Sequence, residues 1–353
     1  MEEERMSFLK DLINSISPSG FEKDAAEIWK DRAKRFSDKV KTDRHGNSIA
    51  ILNEEGKPRV MFAGHIDEIG FMVKYIDDQG FLYFAPIGGI DLQIPQGQRV
   101  WIKTRRGKIP GVIGKKPIHL LEDEERRKVP KIEELWIDIG AKDKKEAEEL
   151  VSYGDPIVLA YDFCELRNNK ITGRGFDDRV GAFTVLEALG ELKGSDIKAS
   201  LFSVATVQEE IGLRGAKTSA FGINPDIGIA VDVTFSTDSP GIDKKRIGEI
   251  SLGKGPVIAR GPNINPKVFE LLIDTAKKEN IPYQVEGIPR GTGTDANVIQ
   301  LTRAGVAAGL VSIPNRYMHT PCEIVDIEDV ENAIKLLSLF VRRLKEDIDL
   351  TPF

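Results

Sequence analysis

Five polar clusters stand at or just beyond the ends of apolar runs in this chain: His65-Ile66-Asp67, Asp177-Asp178, Glu209-Glu210, Asp232 and His319. Imidazoles and carboxylates without thiolates suit borderline-hard divalent ions such as zinc, cobalt or manganese. Two neighbouring ions need a carboxylate that bridges them and terminal ligands for each. Two histidines, two aspartates and one glutamate meet that need, and a second glutamate is left over as an unligated base. Each cluster alone has a plainer role: a hydrogen-bonded histidine, a helix cap at Asp177 or Asp178, a solvated glutamate pair, a turn at Asp232. It is their recurrence at the ends of apolar segments that points to a metal centre.

His65 and Asp67 lie two apart, so in extended chain they point the same way. A metal-bound imidazole generally passes its other N–H to a carboxylate or carbonyl, which Asp67 can accept directly or through a neighbour. Glu209 and Glu210 interrupt the stretch VATVQEEIGLRGA. Adjacent residues of an extended chain face opposite ways, so at a strand end one glutamate can hold an ion while the other reaches a bound water. This geometry disfavours a retaining glycosidase, whose two carboxyls flank one bond at about 5–5.5 Å. The loop GIPRGTGTDANV, residues 287–298, has glycines for close backbone approach and Thr294 or Asp295 to cap the helix behind it. It lacks the Gly-Lys-Ser/Thr of a nucleotide-phosphate loop. Arg290 and this loop are the expected lining of a specificity pocket. Ser203 and Cys164 belong to no nucleophile motif.

Such clusters must be carried by elements that converge. From residue 177 onward, helical and strand patterns alternate, ending in a helix expected over 329–345. Alternation of this kind means a mostly parallel central sheet with helices on both faces, in which functional residues gather at the carboxyl ends of strands. Helices are also expected over 5–16 and 22–36, the second capped by Ser19. Between residues 70 and 162 the pattern changes to short, closely spaced β segments with turns, which reads as a barrel-like insertion. One helical segment, 142–151, interrupts it, and LLEDEERRKVPK reads as a solvated, mobile loop. The expected organisation is an α/β unit made of 1–69 and 163–353, interrupted by a β-rich domain, 70–162.

The 353 residues exceed the usual single core, and 41% apolar content is that of a folded protein. A net charge of −6 argues against a nucleic-acid partner. Two cysteines make no disulfide framework, so a reducing cytoplasm is expected. The amino terminus lacks a signal peptide's apolar run, and no stretch has the length of a membrane span. Charged residues at 30%, with Lys and Glu interleaved, are compatible with a thermophile.

Taken in order, AGHIDEIGF, APIGG, GRGFDDRVG, VATVQEEIGLRGA, VDVT, GTGTDAN and RYMHT resemble the TET tetrahedral aminopeptidases over nearly the full chain. These are zinc- or cobalt-dependent exopeptidases, some of whose relatives carry an endoglucanase label. The resemblance implies two divalent ions per subunit. It implies Asp177 as the bridging ligand, His65 and Asp232 on one ion, and Glu210 and His319 on the other. Glu209 matches the general base, Asp67 the acidic residue that follows the first metal histidine, and Asp178 the neighbour joined to Asp177 by a cis peptide. It further implies peptide substrates with a free amino terminus, and a homo-oligomer of twelve subunits, built from dimers joined through the β-rich insertion. A related two-metal amidohydrolase or a glycosidase is the alternative activity.

Overall fold

The computed structural model describes residues 1–353. Its main sheet has eight strands, in the order Lys39–Thr42, Ser48–Leu52, Ser200–Thr206, Arg59–His65, Ile227–Phe235, Ala307–Asn315, Val257–Arg260 and Gln284–Gly287. The four central strands run parallel, as do the last two, while the first hairpin and the Val257–Arg260 strand pair antiparallel with their inner neighbours.

The central strands are apolar on both sides because both faces are covered. Val60 and Phe62 enter one core, and Met61 and Ala63 enter the other. The larger core also takes Ile227, Ile229, Val231 and Val233 and is covered by helices Glu3–Asn14, Lys23–Ala33, Phe176–Gly190, Pro266–Lys278 and Ile327–Arg342. Arg214–Ile223 and Ala296–Ile299 cover the smaller one.

The chain leaves this sheet after His65 and builds a closed antiparallel barrel of six strands before returning. Around the barrel these are Gly70–Ile76, Leu82–Ile87, Trp136–Asp138, Gly107–Gly114, Arg99–Thr104 and Pro156–Leu159. Alternate residues point inward, and Phe71 meets Phe84 edge-on at 5.0 Å within a separate apolar core. Helix Lys144–Leu150 packs Ala147 against that core, and its first turn is capped by Asp143, which accepts from the Glu146 amide. The charged segment after Gly114 contains three short 3-10 turns.

Several local expectations change. Ser19 does not cap the second helix, which begins at Lys23 behind Glu22 and ends at Ala33. Residues 18 and 19 are bridged to Glu68, and this draws the Ser19 hydroxyl onto Asp67 instead, at 2.6 Å. Asp295 stands before helix Ala296–Ile299 without capping it, since its carboxylate accepts from the Thr206 hydroxyl at 2.6 Å. A small third sheet, Cys164–Glu165, Lys170–Gly173 and Glu323–Asp326, has no counterpart in the sequence reading. Its strands are too short to show a period. No helix is long and apolar enough to cross a membrane.

Candidate metal centre and active site

Four neighbouring parallel strands deliver the polar clusters to one edge. Arg59–His65 ends on His65, and Ser200–Thr206 runs out to Glu209 and Glu210. Ile227–Phe235 carries Asp232, and Ala307–Asn315 leads to His319. Asp177 and Asp178, joined by a cis peptide, come from the start of helix Phe176–Gly190, which crosses the same edge. The crossing is close. A Cβ on Gly64 would lie 2.4 Å from the Gly181 backbone, and one on Gly181 would lie 2.2 Å from the Asp178 carboxylate.

Asp177 lies between the two imidazoles. Its Oδ1 is 3.1 Å from His65 Nε2 and its Oδ2 is 3.2 Å from His319 Nε2. Each ring's other nitrogen faces a carbonyl oxygen, Asp67 O at 3.1 Å for His65 and Gly89 O at 2.8 Å for His319. A carbonyl can only accept, so Nδ1 carries the hydrogen in both rings. Each Nε2 is then aimed at an oxygen of the Asp177 carboxylate, a contact that an Nε2 proton or a bound cation satisfies. Gly89 belongs to the segment after barrel strand Leu82–Ile87, so the insertion helps to orient His319.

The adjacent glutamates diverge. Glu209 Oε2 is 3.8 Å from His65 Nε2, whereas Glu210 Oε1 is 3.6 Å from His319 Nε2. Their backbone is held by carboxylates. Asp67 Oδ1 accepts from the Glu209 amide at 3.0 Å and Asp67 Oδ2 from the Glu210 amide at 3.2 Å. Glu22 accepts from the Gln208 amide at 3.1 Å. Gln208 has a φ of +57°, a region that side chains other than glycine occupy at a cost of order 1–3 kcal/mol. Three consecutive N–H groups thus point at carboxyl acceptors. Asp67 passes its carbonyl, rather than its carboxylate, to His65: the nearer carboxylate oxygen is at 3.5 Å.

Glu323, which stands in none of these motifs, also acts here. Glu323 accepts from the Asp177 amide at 3.0 Å and from the His319 amide at 2.9 Å. Its sole signal in the sequence is a position four residues after His319. Asp178 turns from the cleft, accepting from the His65 amide at 3.0 Å and the Gly181 amide at 3.1 Å. Buried Glu68 accepts from Arg174 and Arg179, and the fully buried Arg179 anchors the helix start that presents Asp177. Arg290 and residues 291–294 line the same cleft as His65, Asp177, Glu209, Glu210, Asp232 and His319.

The donor set suits divalent ions. Burial drives the carboxyls of Glu209, Glu210 and Asp232 up from their usual range, with Asp177 opposing ionisation of the last two. Asp177 goes the other way: burial resists its ionisation, but both histidines outweigh that. Glu210 Oε1 is buried without any hydrogen-bond partner. Such a concentration of carboxyls away from water is relieved by protonation or by positive charge beside it, and a divalent ion supplies the latter. Two overlapping groups have donor atoms within 4.8 Å of one another: His65, Asp177 and Glu210, and His65, Asp178 and Asp232. Asp178 enters the second by proximity, since both its oxygens already serve backbone amides.

A profile of the M42 glutamyl aminopeptidase family matches residues 46–336. Among curated proteins, the chain is similar to a lysyl aminopeptidase of Pyrococcus furiosus, 41% identical over 98% of both chains. Among solved structures it is similar to a TET aminopeptidase from a marine-sediment Thaumarchaeota archaeon. That pair superimposes with a TM-score of 0.93, at 37% identity over 97% of both chains. It is also similar to a Pyrococcus horikoshii TET1 peptidase that assembles into a tetrahedron or an octahedral shell. There the TM-score is 0.86, at 32% identity over 96% of this chain and all of that one. The chain therefore belongs to the M42 aminopeptidase family, a family of hydrolases.

Proposed function

We propose that this chain removes amino-terminal residues from peptides with a pair of divalent ions, zinc or cobalt, held at the sheet edge. His65 and Asp232 would hold one ion and Glu210 and His319 the other, with Asp177 serving both. The observation that carries this reading is the placement of one Asp177 oxygen toward each histidine Nε2. Bound ions of this kind lower the pKa of a water and polarise the scissile carbonyl.

Glu209 is the proton carrier in this reading. It is buried in the cleft, with its Oε2 3.8 Å from His65 Nε2. It takes a proton from the attacking water and returns it to the leaving amine, serving as base and then acid. Asp67 and Glu22 hold the backbone that aims it and are positioning residues. Glu209→Gln keeps the shape and loses the proton site. Turnover of aminoacyl anilides should fall at least about 1,000-fold, with both ions still present by elemental analysis. Activity near that of the parent enzyme would sink the assignment.

The distribution of exposed apolar side chains supports a homo-oligomer. Seven of the fourteen exposed large apolar side chains lie between residues 70 and 162, among them Tyr75, Val112, Ile118, Leu120 and Val129. Apolar exposure concentrated on one unit marks a contact surface. Residues 70–162 are accordingly the dimerisation domain of a homo-oligomer, and twelve subunits are the expected particle by light scattering. Both cysteines are free and exposed, in keeping with a reducing cytoplasm.

A further inference from the structure

We propose that Glu286 makes this enzyme select a cationic first residue, lysine or arginine, a conclusion that rests on the aminopeptidase reading above. Apart from the groups of the metal centre, the charged side chains lining the cleft are Glu286 and Arg290. Glu286 lies on the edge strand Gln284–Gly287 and is half-buried, whereas Arg290 is exposed. A charge at the exposed rim is screened by water and salt, while one recessed in the cleft acts at lower effective dielectric.

The position of Glu286 is set by Thr234, whose hydroxyl donates to Glu286 Oε2 at 2.8 Å. Thr234 stands two residues past Asp232 on the same strand, so the two side chains share a face about 7 Å apart along it. The four-carbon stem of lysine spans about 6 Å from Cα to the ammonium. A first residue held beside Asp232 therefore brings a lysine ammonium to the carboxylate of Glu286. Ile288, Leu310 and Met318 line the cleft and supply apolar surface for the stem. A carboxylate offers about four lone-pair sites, and Thr234 takes one of them, which leaves room for the cation's N–H groups. An acidic first residue would meet Glu286 as a like charge in the same recess.

The test compares kcat/KM of the metal-loaded enzyme and its E286Q variant on lysyl, arginyl, leucyl and glutamyl anilides. The parent enzyme should favour the two basic substrates over leucyl by about tenfold or more, with glutamyl poorest. E286Q should lower the basic substrates roughly 10- to 100-fold and leave the leucyl substrate within about threefold. A parent enzyme that prefers leucyl or glutamyl substrate, or a variant that loses all four equally, overturns the role of Glu286 while leaving aminopeptidase activity standing. Cleavage of none of the four by the metal-loaded parent enzyme overturns the aminopeptidase reading and this proposal together.

Discussion

The turn that carries Glu209 and Glu210 hangs on one carboxylate, and Asp67→Asn tests it at nearly constant volume. Asp67 Oδ1 accepts from the Glu209 amide, and Oδ2 accepts from both the Glu210 amide and the Ser19 hydroxyl. Asparagine has one oxygen. If that oxygen faces Glu209, its NH2 faces the Glu210 N–H; if it is turned over, its NH2 faces the Glu209 N–H. Ser19 can adapt by rotating its hydroxyl, but one of the two adjacent amides is always left against a donor. An orphaned buried N–H costs about 1–3 kcal/mol, and the surviving bonds lose their charge assistance. A total of about 3 kcal/mol expressed in the transition state is about 100-fold in kcat. The assay is steady-state hydrolysis of an aminoacyl anilide, with ion content and particle size measured on the same sample. The expected result is kcat lower by 10- to 100-fold, KM within about threefold and ion content unchanged. A kcat within threefold of the parent enzyme, in a folded particle, would show that the turn does not depend on Asp67. Loss of an ion would show that Asp67 acts through the grip of Glu210 rather than the aim of Glu209.

Two further perturbations probe the frame. Gly64→Ala puts a Cβ 2.4 Å from the Gly181 backbone and forces the helix carrying Asp177 away from the strand carrying His65. It should destabilise the protein by about 3 kcal/mol and lower its ion content, read by calorimetry and elemental analysis; an unchanged melting temperature with full ion content would refute the close-approach argument. Asp329 is buried and accepts from the Gly253 and Gly255 amides at 2.7 Å, and burial pushes its carboxyl up to about 6 against those bonds. Because its folded pKa lies above the unfolded value of about 3.9, its contribution is full below pH 4 and disappears as pH rises through 6. Denaturant unfolding at pH 4, 5, 6 and 7 should therefore show the parent losing up to about 3 kcal/mol relative to Asp329→Asn across that window. A constant difference between the two would refute it.

The parts of the fold governed by local pattern were legible. Apolar runs of strand length separated by helical periods indicated a parallel sheet covered on both faces, and Val60 to Ala63 bear this out by feeding alternate residues to two cores. The change to short, turn-bounded strands after residue 70 indicated the barrel. Candidate site residues were legible for a related reason: a parallel sheet sends its carboxyl ends to one edge, so polar residues that end apolar strands meet there.

What the sequence could not show is which polar group serves which partner. Ser19 and Asp295 have the right types and positions for helix caps, yet each bonds a group far away in sequence, Asp67 and Thr206. Glu22, Asp67 and Glu323 are ordinary acids until folding brings them to the amides of Gln208, Glu209, Glu210, Asp177 and His319. Residue types and spacing alone determined that histidines and carboxylates would gather at one strand edge, because strand direction and period are local properties. Only the tertiary structure decided how they are aimed, because a buried N–H must find an acceptor wherever the packed chain supplies one. For Glu209 and Glu210 that acceptor is an aspartate more than a hundred residues earlier in the chain.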